Sequence, residues 1–207
     1  MRIVILGAGG HGAVVRECLQ AAGVHEVVGF LDDDVAIHGR EVIGLGVLGA
    51  IAGLERLPVG VEGVALGVGA NQTRLRLLAL ARDRGLTLPT IIHPRAWVSP
   101  SATCGAGTVV NAGAVVNARA RLGAGCIVNT GASVDHDGVV GDGVHLAPGA
   151  RLAGGVEVGS GSFIGMNAAV IEGLRLGSRC MVAAGAVVIG DVADDLRVGG
   201  VPAKPLA

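Results

Sequence analysis

The chain has 207 residues, with 16 basic and 17 acidic side chains and no block of like charge, so a stripe that binds nucleic acid or an anionic membrane is excluded. It is 51% apolar, yet it has one Trp, two Phe and no Tyr against 37 glycines, which calls for a core of small aliphatic side chains stacked closely. MRIVILGAGGHG meets Gly7, Gly9, Gly10 and His11 before its apolar run reaches signal-peptide length, and no apolar stretch of about 18 residues follows; the expectation is a soluble cytoplasmic protein without membrane insertion.

Residues 2–6 (RIVIL) predict a buried strand, GAGGHG (7–12) a tight loop and residues 13–22 a helix. A second strand over 26–31 ends in Asp32, Asp33 and Asp34. VALGVG (64–69) reads as another strand, and NQTRLRLLALARDRG as an amphipathic helix capped by Asn71 and stopped by Gly85. This alternation predicts a small Rossmann-like α/β domain over residues 1–90.

GAGGHG satisfies GxGxxG, with Asp32 about 20 residues past its last glycine. Such a loop brings backbone amides and a helix terminus to any phosphate. About 90 residues are too few for two mononucleotide-binding halves, so a phosphate-bearing ligand is favoured, with a merely structural turn as the alternative and a full NAD site last. His11 reads either as a donor to phosphate or sugar or as a plain helix-start residue. Asp32 and Asp33 stand at the carboxyl edge of their strand, where a crevice would lie.

From Val98 an aliphatic residue or cysteine returns every sixth place (Val98, Cys104, Val110, Val116, Leu122 and onward to Val188). Three places after many of these stands a glycine, as at Gly107, Gly125, Gly143 and Gly161. A period of six with an aliphatic knob and a glycine corner is the signature of a hexapeptide parallel β-helix. It occupies a second domain over residues 91–207, with a C-terminal tail. Three hexads make one coil, so residues 98–193 form a little over five coils, a prism roughly 25 Å tall.

VDHDGVVGDGVH (134–145) concentrates polar groups in this repeat. His136, next to a corner, suits a general base, with Asp137 holding one ring nitrogen provided the chain bends there. A plain exposed corner residue is the other reading. His145 sits half a coil further on, across the prism, so the two histidines serve one site only if neighbouring subunits present opposite sides, as in a trimer with three clefts. Zinc would need three converging ligands, but the coils either side of His136 offer Ala118 and Gly154, so no metal is expected. Cys18, Cys104, Cys126 and Cys180 lie far apart and read as buried thiols in a reducing compartment.

With GAGGHG, FLDDD, IHPRAWVSPSA, NTGASVDHD and GGVPAKP in this order, essentially the whole chain resembles the bacterial nucleotide-amino-sugar N-acetyltransferases grouped with sialic-acid O-acetyltransferases. The resemblance implies a left-handed β-helix and a homotrimer with active sites between subunits. It implies acetyl-CoA as cosubstrate in the groove between prisms, and a nucleotide-linked amino sugar, destined for bacterial glycan, held by the N-terminal domain. By the same resemblance Gly9, Gly10, His11, Asp32, Asp33 and Gly69 bind that sugar nucleotide. His136 is the general base, Asp137 takes the place of its acidic partner, and Asn129 orients the pair. His145, Gly154, Met166 and Ala184 meet the cofactor. The rival readings are an O-acetyltransferase of sialic acid or a related sugar, an NAD-dependent oxidoreductase and a noncatalytic sugar-binding protein.

Overall fold

The computed structural model describes residues 1–206. At its N-terminus β1 (Arg2–Leu6) lies between β2 (Glu26–Leu31) and β5 (Val61–Leu66), parallel to both, and Ile3, Val4, Ile5 and Leu6 are fully buried. A continuous apolar run is what a parallel strand covered on both faces requires. The sheet continues past β2 into a hairpin absent from the sequence reading, β3 (Glu41–Val42) and β4 (Leu45–Gly49), giving the order β3-β4-β2-β1-β5. Ile43 and Gly44 form its two-residue turn, both at positive φ, the geometry that matches strand twist.

Helix α1 (Gly10–Ala22) starts before the expected position and so includes Gly10 and His11. β5 ends at Leu66, earlier than expected, because the chain at Gly67 passes too close to the Gly7 carbonyl for any side chain. Helix α2 (Asn71–Asp83) is in the expected place, but Asn71 is not its cap. Its amide instead donates to the carbonyls of Gly161 and Ser162, both at 2.9 Å, and ties the helix to the second domain.

That second domain is a left-handed parallel β-helix whose three faces carry six, five and eight strands. Each two-residue strand pairs with its counterpart one coil on, as in Val115↔Ser133, Arg121↔Val139 and Ile127↔His145. The six-residue beat points inward, with Val110, Val116, Val128, Val134, Ile164 and Val182 fully buried. Three places after each, the corner residue is left-handed: Gly113, Gly131 and Gly185 have φ of 70°, 66° and 69°. Arg119, Asp137, Asn167 and Arg179 adopt the same conformation without being glycine, at a cost of about 1–2 kcal/mol each.

The coil shortens at its end, where Leu176 bridges to Val192 and Met181 pairs with Arg197, in each case two places short of a full turn. The tail Lys204–Pro205 then turns back antiparallel against Arg197–Gly199.

The N-terminal domain docks on the eight-strand face and the glycine corner beside it. Ile91–Ile92 already belongs to that face, pairing with Val109–Val110. The joint is locked by Arg74, only 1% exposed. Its guanidinium donates to the carbonyls of Gly125 (2.7 Å), Gly143 (2.8 Å), Gly69 (2.8 Å) and Val68 (3.2 Å), and to Asn71 Oδ1 (2.9 Å). Among the described residues it forms no salt bridge, so its charge is balanced by these dipoles.

Candidate active site

The predicted site residues fall into separate groups. Gly9 precedes α1 with no side-chain cap, and nothing lies within 4 Å of where a Cβ would stand on Gly9 or Gly10. The first amides of the helix are therefore open to an anion. Asp32 is engaged by the backbone, its Oδ2 accepting from Ala8 N (2.7 Å) and its Oδ1 from Asp34 N (2.9 Å), so it braces the glycine loop. Asp33 Oδ1 likewise accepts from Ile51 N, at 2.9 Å.

The His11 ring lies 6.4 Å from that of His145, which packs edge-on against Phe163 at 5.2 Å. His145 Nδ1 is buried with no hydrogen-bond partner, and the Gly69 backbone lies close to the ring. His145, expected with the cofactor residues, is thus grouped within one chain with His11 and Gly69. Gly69 also lines a cleft of about 420 Å³ with Gln72, Phe163 and Met181.

Asn129 serves His145 and not His136. Its Oδ1 accepts from Thr130 N (2.8 Å) and Asn111 Nδ2 (3.0 Å), which leaves Nδ2 to donate to His145 Nε2 at 3.2 Å. His145 therefore carries its proton on Nδ1. Burial first and the nearby Arg74 second push both His11 and His145 down to about 4, His145 also feeling His11. Both are neutral at pH 7, and His11 Nε2 is buried with no partner, an atom that a ligand would satisfy.

Stability should depend on pH accordingly. The unfolded chain takes up these protons near 6.5 and the folded chain only near 4, so between those values the unfolded state binds more protons. The stability gained by keeping both rings neutral is full above pH 6.5 and is lost as the pH falls toward 4, by up to roughly 3 kcal/mol per histidine. Thermal unfolding should show the midpoint falling over that window, with a shallower fall in His145→Gln.

The third group lies on the prism edge between the six-strand and five-strand faces, opposite the eight-strand face on which the N-terminal domain sits. Here Asp137 takes the left-handed corner (φ 60°), and the bend brings its Oδ2 to 2.8 Å from His136 Nδ1. Arg119, one coil earlier, grips the same carboxylate with Nε to Oδ1 (2.6 Å) and Nη2 to Oδ2 (2.8 Å). Arg119 first, then His136, holds Asp137 far below the usual carboxylate range. An ionised carboxylate only accepts, so His136 Nδ1 bears the proton and Nε2 presents its lone pair.

One coil on, Gly154 lies over the ring, where an added Cβ would come within 2.6 Å of Cε1 and 2.7 Å of Nε2. Gly154→Ala must displace the imidazole. A fall in kcat of about a hundredfold is expected, with an unchanged unfolding midpoint as the check that only the ring has moved. Met166 and Ala184 are exposed and stacked one coil apart on a different edge, between the eight-strand and six-strand faces. Among the described residues no hydrogen bond links His136 to the N-terminal domain.

The PglD N-terminal domain family matches residues 2–80. Over nearly their full lengths (99% of each chain) the protein superposes on the acetyltransferase domain of PglB from Neisseria gonorrhoeae FA1090 with a TM-score of 0.94 and 43% identity. The chain belongs to the nucleotide-amino-sugar N-acetyltransferases. A second solved structure, PerB from Caulobacter crescentus in complex with CoA and GDP-perosamine, is 42% identical with a TM-score of 0.95, over 100% of this chain and 98% of that one. UDP-N-acetylbacillosamine N-acetyltransferase of Bacillus subtilis (strain 168) is 40% identical over 112 residues, and the match spans about half (50%) of that protein's length. Membership of the N-acetyltransferases removes the oxidoreductase reading.

Proposed function

We propose that the chain transfers the acetyl group of acetyl-CoA to the amine of a nucleotide-linked amino sugar, with His136 as general base in a site shared by two subunits of a cytoplasmic homotrimer. The observation that carries this reading is the position of His136. It has a fixed tautomer and a free Nε2, yet lies on the prism edge opposite the face that holds the N-terminal domain. A second copy, presenting Gly9, Gly10, His11, Gly69 and His145 to that edge, would complete the site. Asp32 and Asp33 would support the nucleotide-binding loop, while Gly154, Met166 and Ala184 would border the acetyl-CoA groove. The relatives support the two ligands: the gonococcal domain was solved with acetyl coenzyme A and the Caulobacter enzyme with CoA and GDP-perosamine.

In the proposed reaction the neutral amine attacks the thioester carbonyl as His136 Nε2 takes its proton. The tetrahedral oxyanion is held by backbone amides of the prism, and it collapses with cleavage of the C–S bond. The imidazolium returns the proton to the leaving thiolate. Holding amine and thioester side by side supplies much of the acceleration.

The test is release of CoA thiol from acetyl-CoA with UDP-, GDP- and TDP-linked amino sugars, alongside the corresponding free sugars and free sialic acid. Release with a nucleotide-linked amine is expected. Turnover only with a free hydroxylated sugar would overturn the proposal in favour of O-acetylation. Sedimentation at the mass of one chain, in a fully active preparation, would overturn the shared site.

A further inference from the structure

His136 is flanked by two ties to the preceding coil. On one side Asn117 Nδ2 donates to Asp135 Oδ1 (2.8 Å), which also accepts from the backbone amide of His136 (2.7 Å). On the other, Arg119 grips Asp137 through both nitrogens. Beneath the imidazole the same coil has Ala118, and above it are Gly154 and Gly155. The ring thus stands in a slot with small residues above and below, and the coil before it supplies a strut on each side.

The two struts do different things. Asn117 and Asp135 fix the backbone at His136. Arg119 acts on the ring, because Asp137 Oδ2, which accepts from Arg119 Nη2, is the atom that faces His136 Nδ1. Arg119 and Asp137 both occupy left-handed corners with φ of 60°, where glycine would be free of strain. A bidentate pair of this kind also joins Arg179 to Asp195 at 2.6 and 2.7 Å, with no histidine attached, so ion pairing between coils is a device of the fold. What sets Arg119 apart is the shared oxygen.

We propose that Arg119 is a positioning residue for the reaction: by forking onto Asp137 it fixes the carboxylate that holds the His136 ring and its tautomer. A guanidinium fork fixes the plane of a carboxylate as well as its place, which a single ammonium cannot do. Without Arg119, Asp137 is free to turn into solvent and the imidazole loses both its orientation and its preferred tautomer. The proposal rests on His136 being the base.

The experiment compares Arg119→Ala, Asp137→Ala, the double variant and His136→Ala by steady-state kinetics on the assembled enzyme, with Arg119→Lys as a variant that keeps the charge. Arg119→Ala should lower kcat about tenfold or more, leave both KM values within about threefold, and regain activity with added guanidinium. Arg119→Lys should stay impaired. The double variant should be no slower than Asp137→Ala alone, since Arg119 acts only through Asp137. Wild-type kcat in Arg119→Ala, or losses that add in full in the double variant, would overturn the proposal while His136→Ala remains inactive. Full activity of His136→Ala would instead remove the base itself, so the two failures are separate results.

Discussion

Replacing His136 with alanine is expected to lower kcat by about a thousandfold, within the range that a positioned general base supplies, and to leave acetyl-CoA affinity close to wild type. The reasoning is local. Among the described residues Nε2 has no hydrogen-bond partner, and the bond to Asp137 is the one hydrogen bond the ring makes. Its side chain is 58% exposed, so its removal leaves no cavity in the core. Kinetics with saturating acetyl-CoA, together with a direct binding measurement, will separate the two effects. A large loss of CoA binding with little change in turnover would assign the residue to the cofactor and would leave the enzyme without an identified base.

The second large effect concerns stability. Arg74→Ala is expected to destabilise the protein by about 3–5 kcal/mol, since each buried acceptor left without its donor costs about 1–3 kcal/mol and removal of the buried charge returns part of that sum. Four carbonyls and the Asn71 oxygen lose their donor at once, in a joint from which water is largely excluded. For a chain of this size the midpoint of thermal unfolding should fall by roughly 10 °C or more. Arg74→Lys should recover only part, since one ammonium has three donors for five acceptors spread on both sides of the joint. Calorimetry of the two variants beside wild type decides the matter, and a midpoint within about 2 °C of wild type in Arg74→Ala would show that Arg74 is not what holds the joint.

Much of this architecture is legible in the residues. The six-residue beat from Val98 to Val188 is visible because every coil repeats one steric demand, an inward aliphatic and a left-handed corner. The strands Arg2–Leu6 and Glu26–Leu31 are visible because buried parallel strands are continuously apolar. Contacts set by stacking are harder to see. Arg119 and Asp137 read singly as solvated corners, yet they lie one full coil apart at the corner place that most hexads give to glycine, and that coincidence is the available signal. Asn129 stands close to His136 in the sequence, and that nearness hides the fact that the two occupy different prism edges. Arg74 shares its helical face with Leu77, Leu78 and Ala81, all buried, so the periodicity that marks α2 as amphipathic also marks this charge as inward. The hairpin Glu41–Gly49 does not stand out, because its first strand has only two residues, its second is interrupted by glycine, and Ile43-Gly44 is not a usual turn pair.

The shortened last coil has a meaning for assembly. A column of parallel strands in constant register ends in rows of free amides and carbonyls, each a template for another column. Here the five-strand face ends on Val192, bonded to Arg175 and Gly177, and the six-strand face is covered by Gly200 and Ala203 bonded to Val187. The eight-strand face ends in a strand that runs the opposite way. Among the described residues the shortened turn and that reversal break the parallel register on which a second prism would have to continue the stack. This end of the repeat is thereby set against end-to-end fibre growth.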